Sequence, residues 1–384
     1  MAPADRPTDG SSPGAESAGP SSLPDPGRQL RHGIAGLVIL AVLVVALLFA
    51  VPGLKGVGHA LRHADLTWVW VAIAFEVLSN VGYELVVMLV FPEAPRRFAG
   101  RLAWAESAFG AAVSIGGAGN IGLGAWVLHT LGISNKTNAD RSASLFLATS
   151  AVNVIVLAVT GLAVAAGVLS GPSNVLLTLV PGIVAVLGLA LFLGLPKIAE
   201  HHQGWLSSHR RLGVSVRTTA EGVQGAKRIL LTTEWLTVGA WAYLLCDIAV
   251  LWFCLHALGS SPPFGALILA YQIGYIANAI PVPGGIGVLD AGLVAMLVVY
   301  GVRSTPAAAA EVAYHAIALW VPASIGTIAF ILLRRQIASG NVGRRVPVQT
   351  RSAKSAELTP SVGRRDRDPD LGSDAGEAAG QASR

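Results

Sequence analysis

Apolar and polar positions alternate along this chain in long blocks rather than at the period of a soluble helix or strand. Uninterrupted apolar runs occupy about 33–52, 67–91, 142–169, 174–196, 237–258 and 307–333. Each is about 20 residues or longer, enough for a helix to cross roughly 30 Å of hydrocarbon. Two further apolar stretches are interrupted. Residues 102–131 are broken by Ser114-Ile115-Gly116-Gly117-Ala118-Gly119-Asn120-Ile121-Gly122, and residues 264–302 by Pro281-Val282-Pro283-Gly284-Gly285-Ile286-Gly287. Gly and Pro at that density break a helix. Irregular backbone at membrane depth is tolerated only where protein or a water-filled cavity satisfies its polar groups.

The ends differ from this pattern. Residues 1–27 and 336–384 are polar, rich in small residues and mixed in charge, and read as disordered tails that bury too little surface to fold. The 28–335 region between them is the transmembrane domain.

Composition sharpens the membrane reading. Of 384 residues, 53% are hydrophobic and 13% charged, against roughly 25% charged in soluble domains. The net charge of +5 does not indicate nucleic acid, because the basic residues sit between apolar runs and in the tail, where the positive-inside bias puts them. Cys246 and Cys254 lie eight residues apart in one apolar run. Two helical turns separate them by about 12 Å, too far for a disulfide. The first apolar run follows more than 30 residues and has spanning length, so it reads as a span rather than a signal peptide.

Loop charges set the topology. Arg28 and Arg31, Arg96, Arg97 and Arg101, Lys136 and Arg141, the 197–236 loop and Arg334 with Arg335 are the basic clusters, while the 170–173 and 259–263 linkers carry no Lys or Arg. If each broken segment crossed once, the basic 197–236 loop would lie outside. If each enters and leaves on one side, that loop and both termini are cytoplasmic, and only the 53–66 loop is an exception. The broken segments are therefore hairpins, either re-entrant or made of two short spans. The expected fold is an all-α polytopic membrane protein with six spanning helices and two broken or re-entrant hairpins. Its halves, about 30–170 and 174–335, each read span, span, hairpin, span in opposite orientation, an inverted repeat. The two breaks also look alike, Gly119-Asn120-Ile121-Gly122-Leu123 beside Gly284-Gly285-Ile286-Gly287-Val288. Transporters of this design hold substrate where broken helices meet at the repeat interface.

Polar residues inside spans are the candidate site, since an intramembrane carboxylate costs about 2.5–3.5 kcal/mol on insertion scales. Glu76, Asn80 and Glu84 recur every four residues on one helical face, either a packing seam or a cavity wall. Asp247 has no partner close in sequence. Glu311 and His315 form an i, i+4 pair expected near an interface, and Glu106 is expected at the cytoplasmic surface. His129 and Asn153 read as packing residues. In the second break Pro283 and its neighbour Pro281 remove backbone donors, and Gly284, Gly285 and Gly287 permit close approach. Asp290 follows near the start of the next helix, where a carboxylate suits the positive helix end. Gly119 and Asn120 are their counterparts in the first break. No HExxH, DxD or nucleotide loop is present, so no catalytic residue, metal or cofactor is assigned.

The Pro-x-Pro-Gly-Gly-x-Gly run at 281–287, the acidic residue shortly after it and the surrounding helices resemble the lysylphosphatidylglycerol synthase transmembrane region family. The resemblance covers about residues 30–335. It implies a bacterial inner-membrane protein that handles lipid and moves a lipid or lipid-linked head group between leaflets. Two other readings stand beside it: a non-catalytic subunit recruiting a protein partner through the 197–236 loop or the tail, and a membrane-embedded transferase that modifies lipid.

Overall fold

The computed structural model describes residues 26–50, 55–112, 123–124, 127, 135–202, 210–231, 237–276 and 288–339. Among the described residues all regular structure is helical, in eleven helices. In chain order they are α1 (Pro26–Ala50), α2 (Lys55–Arg62), α3 (Leu66–Val90), α4 (Arg96–Ala112), α5 (Asn135–Ala165) and α6 (Val175–His201). Then follow α7 (Arg210–Leu231), α8 (Val238–Ala257), α9 (Phe264–Ile276), α10 (Val288–Val299) and α11 (Ser304–Ala338).

Among the described residues five helices are long and apolar enough to cross a membrane: α3, α5 from Ala139, α6, α8 and α11. They coincide with five of the six expected spans, and the sixth, 33–52, falls in α1. Two of the spans start at side-chain caps. Asp65 accepts from Thr67 N at 2.9 Å ahead of α3, and Asn174 accepts from Leu176 N at 2.9 Å ahead of α6, satisfying amides that have no partner in the first turn.

The centre of the molecule is the antiparallel pair α3 and α8. Asp65 N at the start of α3 donates to Ala257 O at the end of α8, 2.8 Å away, and Ser79 Oγ donates to Tyr243 O at 2.7 Å. Further along, Gly82 meets Gly239 backbone to backbone: a Cβ on Gly82 would lie 2.6 Å from Tyr243 N and 2.7 Å from Gly239 O. Only glycine admits this approach, the small-residue packing that membrane helices use in place of a hydrophobic drive.

Around that pair the contacts follow the repeat. α3 packs on α4 as α8 packs on α9; α4 packs on α11 as α9 packs on α5; α3 packs on α11 as α8 packs on α5. The exchange stops at the outer helices, where α1 lies on α4 and α2 whereas α6 lies on α5 and α7.

Both interrupted segments fold back. Beyond the first break, Gly124 lies against the Glu106 carboxyl of α4, so the chain has reversed between them. In the second, α9 and α10 pack on each other, with Gly274 seated on Leu293. The described parts of these arms have 13 and 12 residues, about 20 and 18 Å of helix.

The described part of the 197–236 loop is packed rather than solvated. It contains α7, whose Gly222, Val223 and Ala226 are buried while Glu221, Gln224 and Arg228 are exposed. Gly222 rests on Leu147 and Gly225 on Ser144, both of α5, and Lys227 Nζ donates to Leu193 O of α6 at 2.6 Å. The stripe of small residues was hidden in the sequence by the charges that dominate the segment.

Candidate functional site

The polar face of α3 is real but wider than three residues. Glu76 and Asn80 are buried, 4% and 5% exposed, and Asn80 Nδ2 donates both to Glu76 O at 2.9 Å and to Glu76 Oε1 at 2.8 Å. Ser79 shares the face through its bond to α8. One turn on, Tyr83 donates to Glu106 Oε2 of α4 at 2.9 Å. Glu84 leaves this group. It is half-buried and turns toward α4, where Trp104 Nε1 donates to its Oε2 at 3.1 Å and Gly100 lies against its carboxyl.

Glu106 is therefore not at the surface, where the sequence reading placed it. It is 8% exposed, bonded to Tyr83 and covered by Gly124. The basic residues at the start of α4 suggested an interface, but Glu106 stands nearly three turns further along that helix.

Asp247, near the middle of α8, gathers three helices. It accepts from Tyr271 of α9 and from Tyr314 of α11, the latter at 3.0 and 3.1 Å to its two oxygens. The rings of Tyr271 and Tyr314 meet nearly perpendicular at 6.3 Å, and Tyr275 stacks on Tyr271 at 5.2 Å. Tyr243, one turn before Asp247, touches the Tyr83 ring at 5.6 Å and so joins the two carboxyl–phenol groups. Asp247 and Glu76 lie within electrostatic reach of each other. Tyr243 and Tyr275 remain 39% and 37% exposed, so this polar wall can be reached from outside the helix packing. Glu311 and His315 pair as expected, 2.7 Å apart, with Glu311 only 3% exposed inside the bundle. Asn153 donates to Thr149 O of its own helix at 3.0 Å, in keeping with a packing role.

The structure thus brings together Glu76, Asn80 and Asp247 and sets Glu84 apart. Gly119, Asn120, Pro283, Gly284, Gly285 and Gly287, like His129, lie outside the described residues. Asp290 is the third residue of α10, as its expected place near a helix start requires, but its side chain is outside the described atoms. The tyrosines are what the sequence reading missed. Five of the chain's six, all but Tyr300, stand in this region. A tyrosine buried in an apolar span needs a partner for its hydroxyl, and that was the available signal.

Comparison with known proteins agrees with this architecture. The sequence profile described as the lysylphosphatidylglycerol synthase TM region matches residues 34–326. The chain belongs to that family. The match runs from within α1 to within α11 and takes in both halves, both hairpins and every residue of the polar wall. A UPF0104 membrane protein of Methanothermobacter thermautotrophicus is 31% identical over 114 residues, 29% of this chain. The aligned part spans about a third, 32%, of that relative's length. Membership in the family and the apolar helices together make this a multi-pass membrane protein.

Proposed function

We propose that this family member binds a lipid or lipid-linked head group at the polar wall between its halves and carries it from one leaflet to the other. The supporting observation is Asp247, a carboxyl at mid-length of a spanning helix that joins α8, α9 and α11 through two phenols beside partly exposed Tyr243 and Tyr275. A merely structural hydrogen bond would be expected among fully buried neighbours, whereas here two phenols of the wall are partly exposed. The family is that of the lysylphosphatidylglycerol synthase TM region, which suits a membrane lipid as the cargo. The exchange-symmetric packing around α3 and α8 supplies two halves that can rock against each other, as carriers with inverted repeats do. In the same reading the protein acts as a carrier rather than an enzyme, in a bacterial inner membrane with both termini cytoplasmic.

The test is reconstitution of the purified full chain into vesicles with a panel of labelled native lipids, beside native mass spectrometry of the gently solubilised protein. One lipid class retained by wild type, moved between leaflets, and lost in Asp247→Asn would support the carrier. No movement of any lipid in the panel, with only bulk phospholipid bound equally by both proteins, would refute it. The transferase reading makes a different prediction, a labelled donor that covalently modifies lipid in the same vesicles.

A further inference from the structure

Glu76 and Asp247 stand at the same level of the antiparallel α3–α8 pair, yet their oxygens are occupied differently. Both oxygens of Asp247 accept: Oδ1 from Tyr314, Oδ2 from Tyr271 and Tyr314. Two phenols thus supply donors to both oxygens, the arrangement that an ionised carboxylate uses in full. Glu76 is the reverse case. Its Oε1 accepts from Asn80, but its Oε2 is buried with no hydrogen-bond partner among the described residues. A bare carboxylate oxygen in a low-dielectric interior is costly, and a proton on it removes the charge that causes the cost.

The one basic group acting on the pair is His315, which reaches Asp247 and not Glu76. The groups facing the pair from α9 are Tyr271 and Tyr275, and from α11 Tyr314, His315 and Glu311. From α8 itself come Tyr243, Cys246 and Cys254. Along the Ser142–Ala165 stretch α5 carries no ionisable side chain. On α4 the carboxyl of Glu106 is bonded to Tyr83. None of the groups acting on either carboxyl is a lysine or arginine, and His315 is engaged with Glu311.

We propose that Glu76 and Asp247 form a proton-binding pair, the coupling-ion site of the carrier proposed above, with the proton resting on Glu76 Oε2 in the arrangement seen. This rests on the carrier reading for its purpose, but not for its chemistry. Water supplies the proton to Glu76. When it passes on, the O–H bond on Glu76 breaks and one forms on Asp247, leaving Glu76 ionised and Asp247 neutral. A protonated oxygen on Asp247 donates where it now accepts, so the phenol facing it must turn its own O–H away and accept. The bonds from α8 to the hairpin arm α9 and to α11 are then rearranged together. Release of the proton from Asp247 to water restores both. Each position of the proton thereby selects its own bonding of the hairpin.

The test is infrared difference spectroscopy of the full chain in lipid vesicles through a pH titration, in water and in deuterium oxide. Wild type, Glu76→Gln and Asp247→Asn are compared. The expected result is a deuterium-sensitive stretch of a protonated carboxyl that titrates in wild type. Glu76→Gln should lose it by one carboxyl's worth, and Asp247→Asn should keep it with a displaced midpoint. A titrating signal unchanged in Glu76→Gln, or a midpoint that Asp247→Asn does not move, overturns the proposal. Should Glu76→Gln fail to fold, the midpoint in Asp247→Asn decides alone, and Tyr314→Phe, which leaves both carboxyls in place, serves if that variant fails too: an unmoved midpoint there counts against the pair. The spectrum reads the proton whether or not lipid moves. Vesicles that transport no lipid while the band behaves as expected would refute the carrier and leave the proton site standing.

Discussion

The phenol of Tyr83 on α3 donates to the Glu106 carboxyl on α4 at 2.9 Å, across 23 residues of chain. In the other half Tyr271 on α9 donates to Asp247 on α8, across 24 residues. Each bond ties a half's central spanning helix to the first arm of its hairpin, but the roles are exchanged: the spanning helix gives the phenol in one half and the carboxyl in the other. The repeat is therefore kept in chemistry as well as packing, although no residue-by-residue match shows it. A double-mutant cycle of Tyr83→Phe with Glu106→Gln should give a coupling of about 0.6 to 1.7 kcal/mol, the range of side-chain hydrogen bonds within membranes. Unfolding in mixed micelles measures it, and a coupling near zero would mean that the pair is held by its surroundings alone.

The crossing of α3 and α8 admits only hydrogen at Gly82 and Gly239. Gly82→Ala would force a methyl to 2.6 Å from the Tyr243 amide nitrogen, and backbone cannot yield as a flexible side chain does. The expected destabilisation is about 1–3 kcal/mol or more, as for overpacked cores, seen as a lower thermal midpoint and less monodisperse protein. Gly36→Ala on α1 is the control, because nothing lies within 4 Å of its added methyl and alanine favours helix over glycine. Equal behaviour of the two variants would contradict the close crossing.

Apolar runs carried most of the architecture because crossing a bilayer imposes a length that a single sequence displays openly. The spans in α3, α5, α6, α8 and α11 were legible for that reason. The α7 helix was not, since its buried stripe of Gly222, Val223 and Ala226 is small and sits among charges. The candidate site was half legible. Glu76, Asn80 and Asp247 announced themselves as polar groups in apolar spans, and the period of four also enrolled Glu84. A helix turns 100° per residue, so over eight residues that stripe drifts. By Glu84 it faces α4, and Tyr83 takes the place nearer α8. Partners far apart in sequence, Tyr271 and Tyr314 above all, need the fold itself.

At the end of α3, Glu93 meets Arg141 in a bidentate pair, both N–O distances 2.7 Å. The Arg141 hydrogen bonds hold the Glu93 carboxyl below its ordinary range. A depressed carboxyl stabilises the fold above its unfolded value, about 4.3, and that contribution is lost as the pH falls through the folded value. Both side chains are partly exposed, so the contribution is small, about 0.2–1 kcal/mol, and screened by salt. Glu93→Gln should therefore lower the thermal midpoint slightly at pH 7 and low salt. The difference should shrink in about 1 M salt, where charges are screened within about 3 Å, and vanish once the pH is below the folded value. A difference that persists in acid would assign the effect to packing of Glu93 rather than to its charge.

The proposed orientation makes the last prediction. Cys246 and Cys254 are both buried and offer little background, so single cysteines can be placed at exposed serines. Ser170 follows α5, Ser261 lies between α8 and α9, and Ser339 ends α11. Linkers without Lys or Arg belong outside under the positive-inside bias, and the Arg334–Arg335 flank belongs inside. A maleimide that cannot cross membranes should label Ser170→Cys and Ser261→Cys on intact cells and reach Ser339→Cys only after permeabilisation. Both linkers must score alike, because α6, α7 and α8 return the chain to the side on which α5 ended. Labelling of Ser339→Cys from the same side as Ser261→Cys would mean that the second hairpin crosses an odd number of times, and the inverted arrangement of the halves would fall with it.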